Sequence, residues 1–398
     1  MLEFALAGAG VAAVVKARRA HAARDGPRRR RGRAWELPPL HTLGSAPRAL
    51  GSDLGGYADR LVTGLSSRGV SVALVDIVAG PSVVRFELAL GLSERVSRLT
   101  ALKADIGYIL GAPNPRILTT VDGRSVMGIE IPRPNRQLVT LGSVLASERL
   151  RLLDIAIGLT ADGAPMVANV TELPHVVIAG ATGAGKSTFL NSLIVSLLMG
   201  ASPRDLQLLL IDPKRVELAQ YQGLPHLWRP VVTEGGEAIG SLLEVVDEMD
   251  KRYKFLASKG FRNISEARAS GLETPYLIVI IDEVADLMMQ AKAYVEPALL
   301  RIAQLGRAAG VHLVVATQRP SIKVLTGDLK ANIPSKVAFA VSSNTDSRVI
   351  LDAIGAENLT GKGDLLYSDG GPTLTRAQGA LVTDSEIGKV VQWWKRQK

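Results

Sequence analysis

An apolar run, Val176-Val177-Ile178-Ala179, leads into Gly180-Ala181-Thr182-Gly183-Ala184-Gly185-Lys186-Ser187, and residues 187–198 (STFLNSLIVSLL) continue with helical apolar periodicity. Strand, glycine-rich turn and helix in that order predict a phosphate-binding loop within an α/β sheet. The glycines allow successive backbone N–H groups to converge on phosphate oxygens, so Gly180 through Thr188 are the expected nucleotide contacts. Lys186 would reach the β- and γ-phosphates of ATP. The Ser187 hydroxyl would ligate Mg²⁺ at the positive end of the helix.

Further along, Tyr276-Leu277-Ile278-Val279-Ile280-Ile281 ends in Asp282-Glu283. A buried strand that delivers a carboxylate at its C-terminal end puts it where ligands sit in open α/β sheets. Asp282 is the expected Mg²⁺ residue. Glu283 is placed to orient or deprotonate an attacking water, a role that nucleotide hydrolysis needs and simple nucleotide binding does not. The next strand ends in Ala316-Thr317-Gln318-Arg319-Pro320. Gln318 at its tip is expected to hydrogen-bond the γ-phosphate or the water. Arg301 and Arg307 fall on the intervening helix, and one of them could neutralise transition-state charge in a neighbouring subunit's site.

With 398 residues the chain has room for two or three domains. It contains no cysteine, which excludes disulfides, thiolate metal sites and cysteine nucleophiles, and its five histidines lack metal-ligand spacing. Apolar residues make up 47% and charged residues 21%, as in a soluble globular protein. The net charge of +9 is uneven. Nine Lys/Arg residues stand between Lys16 and Arg33 against only Glu3 and Asp25 in the first 33 residues, so nearly all of the excess belongs to a tail. Ahead of it runs Phe4 to Val15, shorter than the ~20 residues a membrane span requires. Three readings stay open for the tail: the stub of a membrane anchor, an interfacial anchor on anionic lipid, or a solvated tail. A cytoplasmic location fits, at the inner face of the membrane if the tail binds lipid.

The expected organisation is a tail (1–36), a small α+β module (37–137) and a larger α/β P-loop domain (138–398). In the module, helices at Leu54–Arg68 and Ser93–Leu110 flank strands at Val70–Ile77 and Ser82–Leu90, and Asp122-Gly123 turns a hairpin between Ile117–Val121 and Ser125–Ile131. Arg85, Glu87 and Asp105 are read there as surface or strand-pairing charges. In the α/β domain, strands at His175–Ala179, Leu206–Ile211, Tyr276–Ile281, Val311–Thr317 and Lys336–Val341 alternate with helices at Lys186–Met199, Ala238–Ser258, Tyr294–Ala309 and Asp384–Arg396. That alternation predicts a parallel sheet. Thr383 and Glu386 have capping-box spacing before the last helix.

Several stretches resemble the FtsK/SpoIIIE family of DNA translocases: residues 211–227 (IDPKRVELAQYQGLPHL), 248–264 (EMDKRYKFLASKGFRNI), 301–320 (RIAQLGRAAGVHLVVATQRP), 329–352 (LKANIPSKVAFAVSSNTDSRVILD) and 355–367 (GAENLTGKGDLLY), with 80–88 (GPSVVRFEL) similar to the family's small preceding module. The resemblance implies that residues 138–398 are a RecA-like P-loop ATPase motor domain, paired with the small module in each subunit of a homohexameric ring around double-stranded DNA with ATP bound between subunits. It places the family's arginine finger on Arg307. It also implies channel-facing loops between Arg319 and Arg348, where Arg319, Lys323, Lys330, Lys336 and Arg348 are the candidate phosphate contacts. The chain stops at Lys398, so the family's C-terminal winged-helix module is not expected, and the family's long membrane segment is absent or reduced to residues 4–15. The alternatives are a type VII secretion-like ring ATPase that translocates protein and a nucleotide switch without motor activity.

Overall fold

The computed structural model describes residues 35–45, 54–112, 115–121, 123–148, 150–173, 175–371 and 373–398. The run from Phe4 to Val15, the basic cluster behind it and Asp122 of the expected turn lie outside the described residues. Among the described residues no helix is long and apolar enough to cross a membrane.

The small module is an antiparallel sheet covered by helices. Strands β1 (Val72–Ala79), β2 (Val83–Leu90), β3 (Arg116–Leu118) and β4 (Met127–Pro132) lie in the order β1-β2-β4-β3. Alternation along β2 turns Val84, Phe86 and Leu88 into one core with Leu61 and Leu65 of α1 (Gly55–Ser66), Leu99 of α2 (Val96–Ala101) and Ile106 of α3 (Lys103–Leu110). Glu87, on the other face, is buried and paired with Arg85 (3.1 Å) and Arg124 (2.8 Å), while Asp105 pairs with Arg68 (2.8 Å). The single helix expected from Ser93 to Leu110 is two. It starts at Val96, after an extended Arg95 (φ −105°, ψ 138°), and it breaks at Leu102 (φ −84°, ψ 16°).

The motor carries a nine-stranded sheet. Its strands are β5 (Asp154–Thr160), β6 (Pro165–Asn169), β7 (His175–Ala179), β8 (Leu206–Ile211), β9 (Tyr276–Ile281), β10 (Val311–Thr317), β11 (Ser335–Phe339), β12 (Asp364–Ser368) and β13 (Thr375–Gly379). They run in the order β6-β5-β13-β12-β11-β7-β10-β9-β8. The five at the β11 to β8 end are parallel and correspond to the five strands expected from sequence. The other four add an antiparallel extension that the alternation of strand and helix did not reveal.

Eight helices among the described residues accompany this sheet: α4 (Leu141–Ala146), α5 (Lys186–Gly200), α6 (Gly235–Ser258), α7 (Ile264–Ala269), α8 (Val284–Ala309), α9 (Gly327–Asn332), α10 (Asn344–Leu351) and α11 (Asp384–Lys395). The helix expected from Tyr294 starts instead at Val284, directly after Glu283. It is two helical segments meeting at Ala291 (φ −155°, ψ 54°), and Pro297 lies inside the second. Nearly every side of α5 is buried. Its serines are tolerated there because Ser192 donates to the Ala380 carbonyl and Ser196 to that of Ser192 (both 2.7 Å).

Helix α11, with the expected capping box at Thr383 and Glu386, packs on α5 through Trp394, whose indole N–H donates to the Leu198 carbonyl (3.0 Å). Residues 35–45 lie along this same helix. The Trp35 ring meets Trp394 at 5.9 Å, Trp393 donates to the Glu36 carbonyl (2.9 Å), and Leu43 enters the motor core.

Candidate nucleotide site and the opposite edge of the sheet

Parallel strands bring their C-terminal ends to one edge, and Lys186, Asp282 and Glu283 gather there. The turn from Gly180 to Gly185 follows β7, with Gly183 (φ 77°) and Gly185 (φ 120°) in backbone conformations that a side chain would strain. Space imposes glycine as well: a Cβ on Gly180 would lie 2.6 Å from that of Phe339, and one on Gly185 would lie 2.7 Å from the backbone of Gly363. Lys186 opens α5, buried, and its ammonium donates to the Asp282 carboxylate (2.6 Å) and the Asp282 carbonyl (2.7 Å). Asp282 is fully buried, and its second oxygen, Oδ2, has no hydrogen-bond partner. Ser187, half-buried, sits one residue into the same helix.

Glu283 is held from three directions. The Thr317 hydroxyl donates to Oε1 (2.6 Å), while Oε2 accepts the Gln318 N–H (3.0 Å) and the Lys214 ammonium (3.2 Å). Gln318 in turn accepts a hydrogen bond on its amide oxygen from the Thr182 hydroxyl of the turn (3.0 Å). Thus Lys186, Asp282, Glu283, Gln318 and the turn form one connected cluster. Sequence reasoning missed Lys214 and gave Thr317 no role. Lys214 is delivered by the loop after β8, which Asp212 shapes by accepting the N–H groups of Glu217 (3.0 Å) and Leu218 (2.9 Å).

Beside the turn lies a cavity of about 390 Å³. The turn (Gly183, Gly185, Thr188) forms one wall, Arg136 to Val139 of the connection between module and motor form another, and Lys362, Gly363 and Gln378 to Leu381 close it. Its position against a phosphate-binding turn suits the ribose and base of a nucleotide. Arg136 is fixed there by donating to the Thr360 and Gly361 carbonyls (both 3.1 Å). Sequence reasoning gave no role to the walls outside the turn, which come from separate segments of the chain.

Arg307 stands elsewhere. It lies near the C-terminal end of α8, three residues before Gly310 (φ 68°), where the chain turns into the start of β10. This is the opposite edge of the sheet from the phosphate turn, and strands of five to seven residues separate the two by roughly 20 Å. The helix end is well anchored: Arg252 donates to the Ala309 carbonyl (3.2 Å), and the Tyr253 hydroxyl to that of Leu305 (2.5 Å). Arg307 is exposed and lines a second cavity of about 430 Å³ with Tyr253, Asn263, Tyr276 and His312. Below it His175 is buried, its Nδ1 accepting the Leu313 N–H (3.0 Å). Burial, then the neighbouring His312 ring, pulls its pKa down to about 3. Arg301, the alternative cation, is paired with Asp250 (3.1 Å).

The basic residues beyond β10 divide into two groups. Arg319, Lys323 and Arg348 are exposed. Lys330 and Lys336 both pair with one carboxylate, Asp352 (2.6 Å each), which holds that carboxyl below its ordinary range: the two ammonium groups outweigh the effect of burial.

The family model described as "FtsK/SpoIIIE family" matches residues 143–322, and that described as "FtsK alpha domain" matches residues 37–133. Proteins named DNA translocase FtsK are 47% identical over 82% of the chain in Streptomyces avermitilis, and 45% identical over 91% of it in Tropheryma whipplei. The chain spans 38% and 51% of those relatives' own lengths. Among solved structures, the pCW3 conjugation coupling protein TcpA, in a monomer form with ATPγS, superposes with a TM-score of 0.59 at 21% identity, covering 85% of this chain and 99% of that one. The cytoplasmic domain of the Thermomonospora curvata type VII secretion ATPase EccC gives 0.53 at 26% identity over 63% of this chain and 32% of that one. The fold is that of the RecA-like P-loop motors. Matched by both family models over most of its length, the chain belongs to the FtsK/SpoIIIE family.

Proposed function

We propose that the chain is the motor portion of an ATP-driven translocase of double-stranded DNA, working as a homohexameric ring in chromosome segregation or DNA transfer. One observation carries the chemical half of this reading: Lys186, Asp282 and Glu283 are buried together at the strand ends beside the phosphate turn. The DNA half is supported by relatives named DNA translocase FtsK.

In this mechanism the N–H groups of Gly180 to Thr188 bind the phosphates, and Lys186 transfers its ammonium from Asp282 to them. The orphaned Asp282 Oδ2 and the Ser187 hydroxyl are oxygen donors of the kind Mg²⁺ takes. Bound there, Mg²⁺ would supply charge neutralisation at the β- and γ-phosphates. Glu283 accepts the proton of the attacking water while Thr317 and Gln318 hold its carboxylate in place. The water oxygen bonds to the γ-phosphorus as the bond to the bridging oxygen breaks, leaving ADP and phosphate. Arg307 acts on the neighbouring copy's nucleotide, a role its distance from its own phosphate turn favours. Arg319, Lys323 and Arg348 contact the DNA backbone, and Lys330 and Lys336 join them by leaving Asp352. The basic tail is the candidate contact with an anionic membrane face.

The test is steady-state ATP hydrolysis with and without long duplex at moderate salt, since phosphate contacts are screened. Strong stimulation by duplex, lost in Arg307→Ala, is expected. Turnover indifferent to DNA would overturn the assignment and favour a protein-translocating ring, the reading that the likeness to EccC supports.

A further inference from the structure

A buried charge bridge crosses from the motor to the small module. Arg376 on β13 forks onto Asp364 of β12, its Nε donating to Oδ1 (3.0 Å) and one terminal nitrogen to Oδ2 (2.7 Å). Its other terminal nitrogen donates to Glu130 of β4 in the module (3.0 Å). All three side chains are buried, and Arg116 approaches Glu130 from the module side (3.5 Å). Burial alone would raise the Asp364 carboxyl, but the Arg376 guanidinium overrides it and holds the group below its ordinary range.

Buried ion pairs are expensive, and apolar residues of like volume often stabilise as well or better. A guanidinium fork offers something apolar contact lacks, a fixed angle and register between its partners. The backbone tightens the same junction. The Ala161 N–H donates to the Arg376 carbonyl (3.2 Å), and the Ala161 carbonyl is so close to Gly80 of the module that a Cβ there would lie 2.0 Å from it.

The other end of the bridge reaches the phosphate turn. Asp364 follows Gly363, whose N–H donates to the Ala184 carbonyl of the turn (2.8 Å) and whose backbone leaves no room for a side chain on Gly185. Gly379, on the Arg376 strand, donates its N–H to the Gly363 carbonyl (2.8 Å). A phosphate that shifts the turn therefore moves Gly363, and with it both strands that hold the bridge.

We propose that the Glu130–Arg376–Asp364 bridge transmits the state of the nucleotide site to the small module, making Glu130 and Arg376 positioning residues for the coupling of ATP turnover to DNA movement. The DNA half rests on the proposed function; the transmission half does not. Hydrogen exchange with and without ATPγS separates them. In the unaltered protein ATPγS should slow exchange in the phosphate turn and also in β2 and β4. Glu130→Gln keeps shape and one acceptor but loses the charge. It should retain protection of the turn while losing that of β2 and β4, and should lower triplex displacement about tenfold relative to ATP hydrolysed. Glu130→Asp, which keeps the charge, should recover part of the coupling. Arg376→Lys, which keeps the charge without the fork, should uncouple as Glu130→Gln does, and it serves if the glutamine variant melts early. Module protection that ignores ATPγS in the unaltered protein, or survives in both uncoupling variants, overturns the bridge. Absence of DNA stimulation in the unaltered protein would strike the proposed function and leave the exchange result to decide the bridge.

Discussion

The two edges of the parallel sheet are built on opposite principles. At the C-terminal edge Lys186, Asp282 and Glu283 are buried, with Lys186 paired on one Asp282 oxygen and Glu283 held among Thr317, Gln318 and Lys214. At the N-terminal edge an exposed Arg307 stands over a floor of His175, His312 and Tyr276, held by an anchored helix end. The second edge presents a cation whose own phosphate turn is a sheet's depth away. Under the proposed function each edge supplies half a site, and every nucleotide in the ring is completed by a neighbour.

The largest expected effect breaks each edge separately. Lys186→Ala should lower ATP turnover by ~10²–10³-fold or more, since it removes a preorganised donor to developing phosphate charge. Arg307→Ala should lower it by ~10³-fold, the lower range for an arginine finger, with an unchanged circular dichroism spectrum. Mixing the two variants is the sharper measurement. A junction between the intact phosphate turn of an Arg307→Ala copy and the intact Arg307 of a Lys186→Ala copy is complete, so the mixture should regain turnover that neither variant has. A mixture as inactive as its components would place both residues in one copy's site.

A smaller effect tests how the C-terminal edge is held. Thr317→Val keeps shape and removes the hydroxyl that donates to Glu283, so kcat should fall about tenfold while KM stays nearly constant, as for a group that positions a base. An equal rise in KM would mean that Thr317 contributes to ground-state binding instead.

How much of this was legible follows from how each part is encoded. The phosphate turn and the Asp282-Glu283 strand could be read because their chemistry is contiguous: glycines, lysine and serine in one turn, or a carboxylate directly after an apolar strand. Glu283's setting was not, since Lys214 and Thr317 come from two other strand ends and only the parallel order of β8, β9 and β10 brings them together. The antiparallel extension escaped for a local reason: β13 (TRAQG) is short and polar, and its arginine is buried only because Asp364 and Glu130 neutralise it. Glu130 and Arg376 are 246 residues apart, and no periodicity connects them. The extra turns of α8 were hidden by Ala291, where two helical segments meet at a non-helical residue.

The smallest effect separates the edges by pH. The His175 pKa is about 3 in the folded protein and near 6.5 in an unfolded chain, so above pH 6.5 the ring is neutral in both states and contributes no pH dependence. As pH falls below 6.5 the unfolded chain binds a proton that the folded one refuses, and stability declines by about 1.4 kcal/mol per pH unit until the folded pKa is reached. Between pH 7 and pH 5 that amounts to about 2 kcal/mol. The buried His226, pulled down to about 4 mainly by burial, adds a parallel decline. Asp364 behaves oppositely: its folded pKa is depressed, so its contribution is complete above the unfolded value near 4 and is lost only in stronger acid. Acid should therefore weaken the histidine floor beneath Arg307 before it reaches the carboxylates. His175→Asn offers an amide oxygen in place of Nδ1 for the Leu313 N–H and cannot titrate. Its urea midpoint should start lower than that of the unaltered protein at pH 7, for lost packing, and fall less between pH 7 and pH 5. Parallel declines in the two proteins would remove His175 from the acid response and leave His226 to account for it.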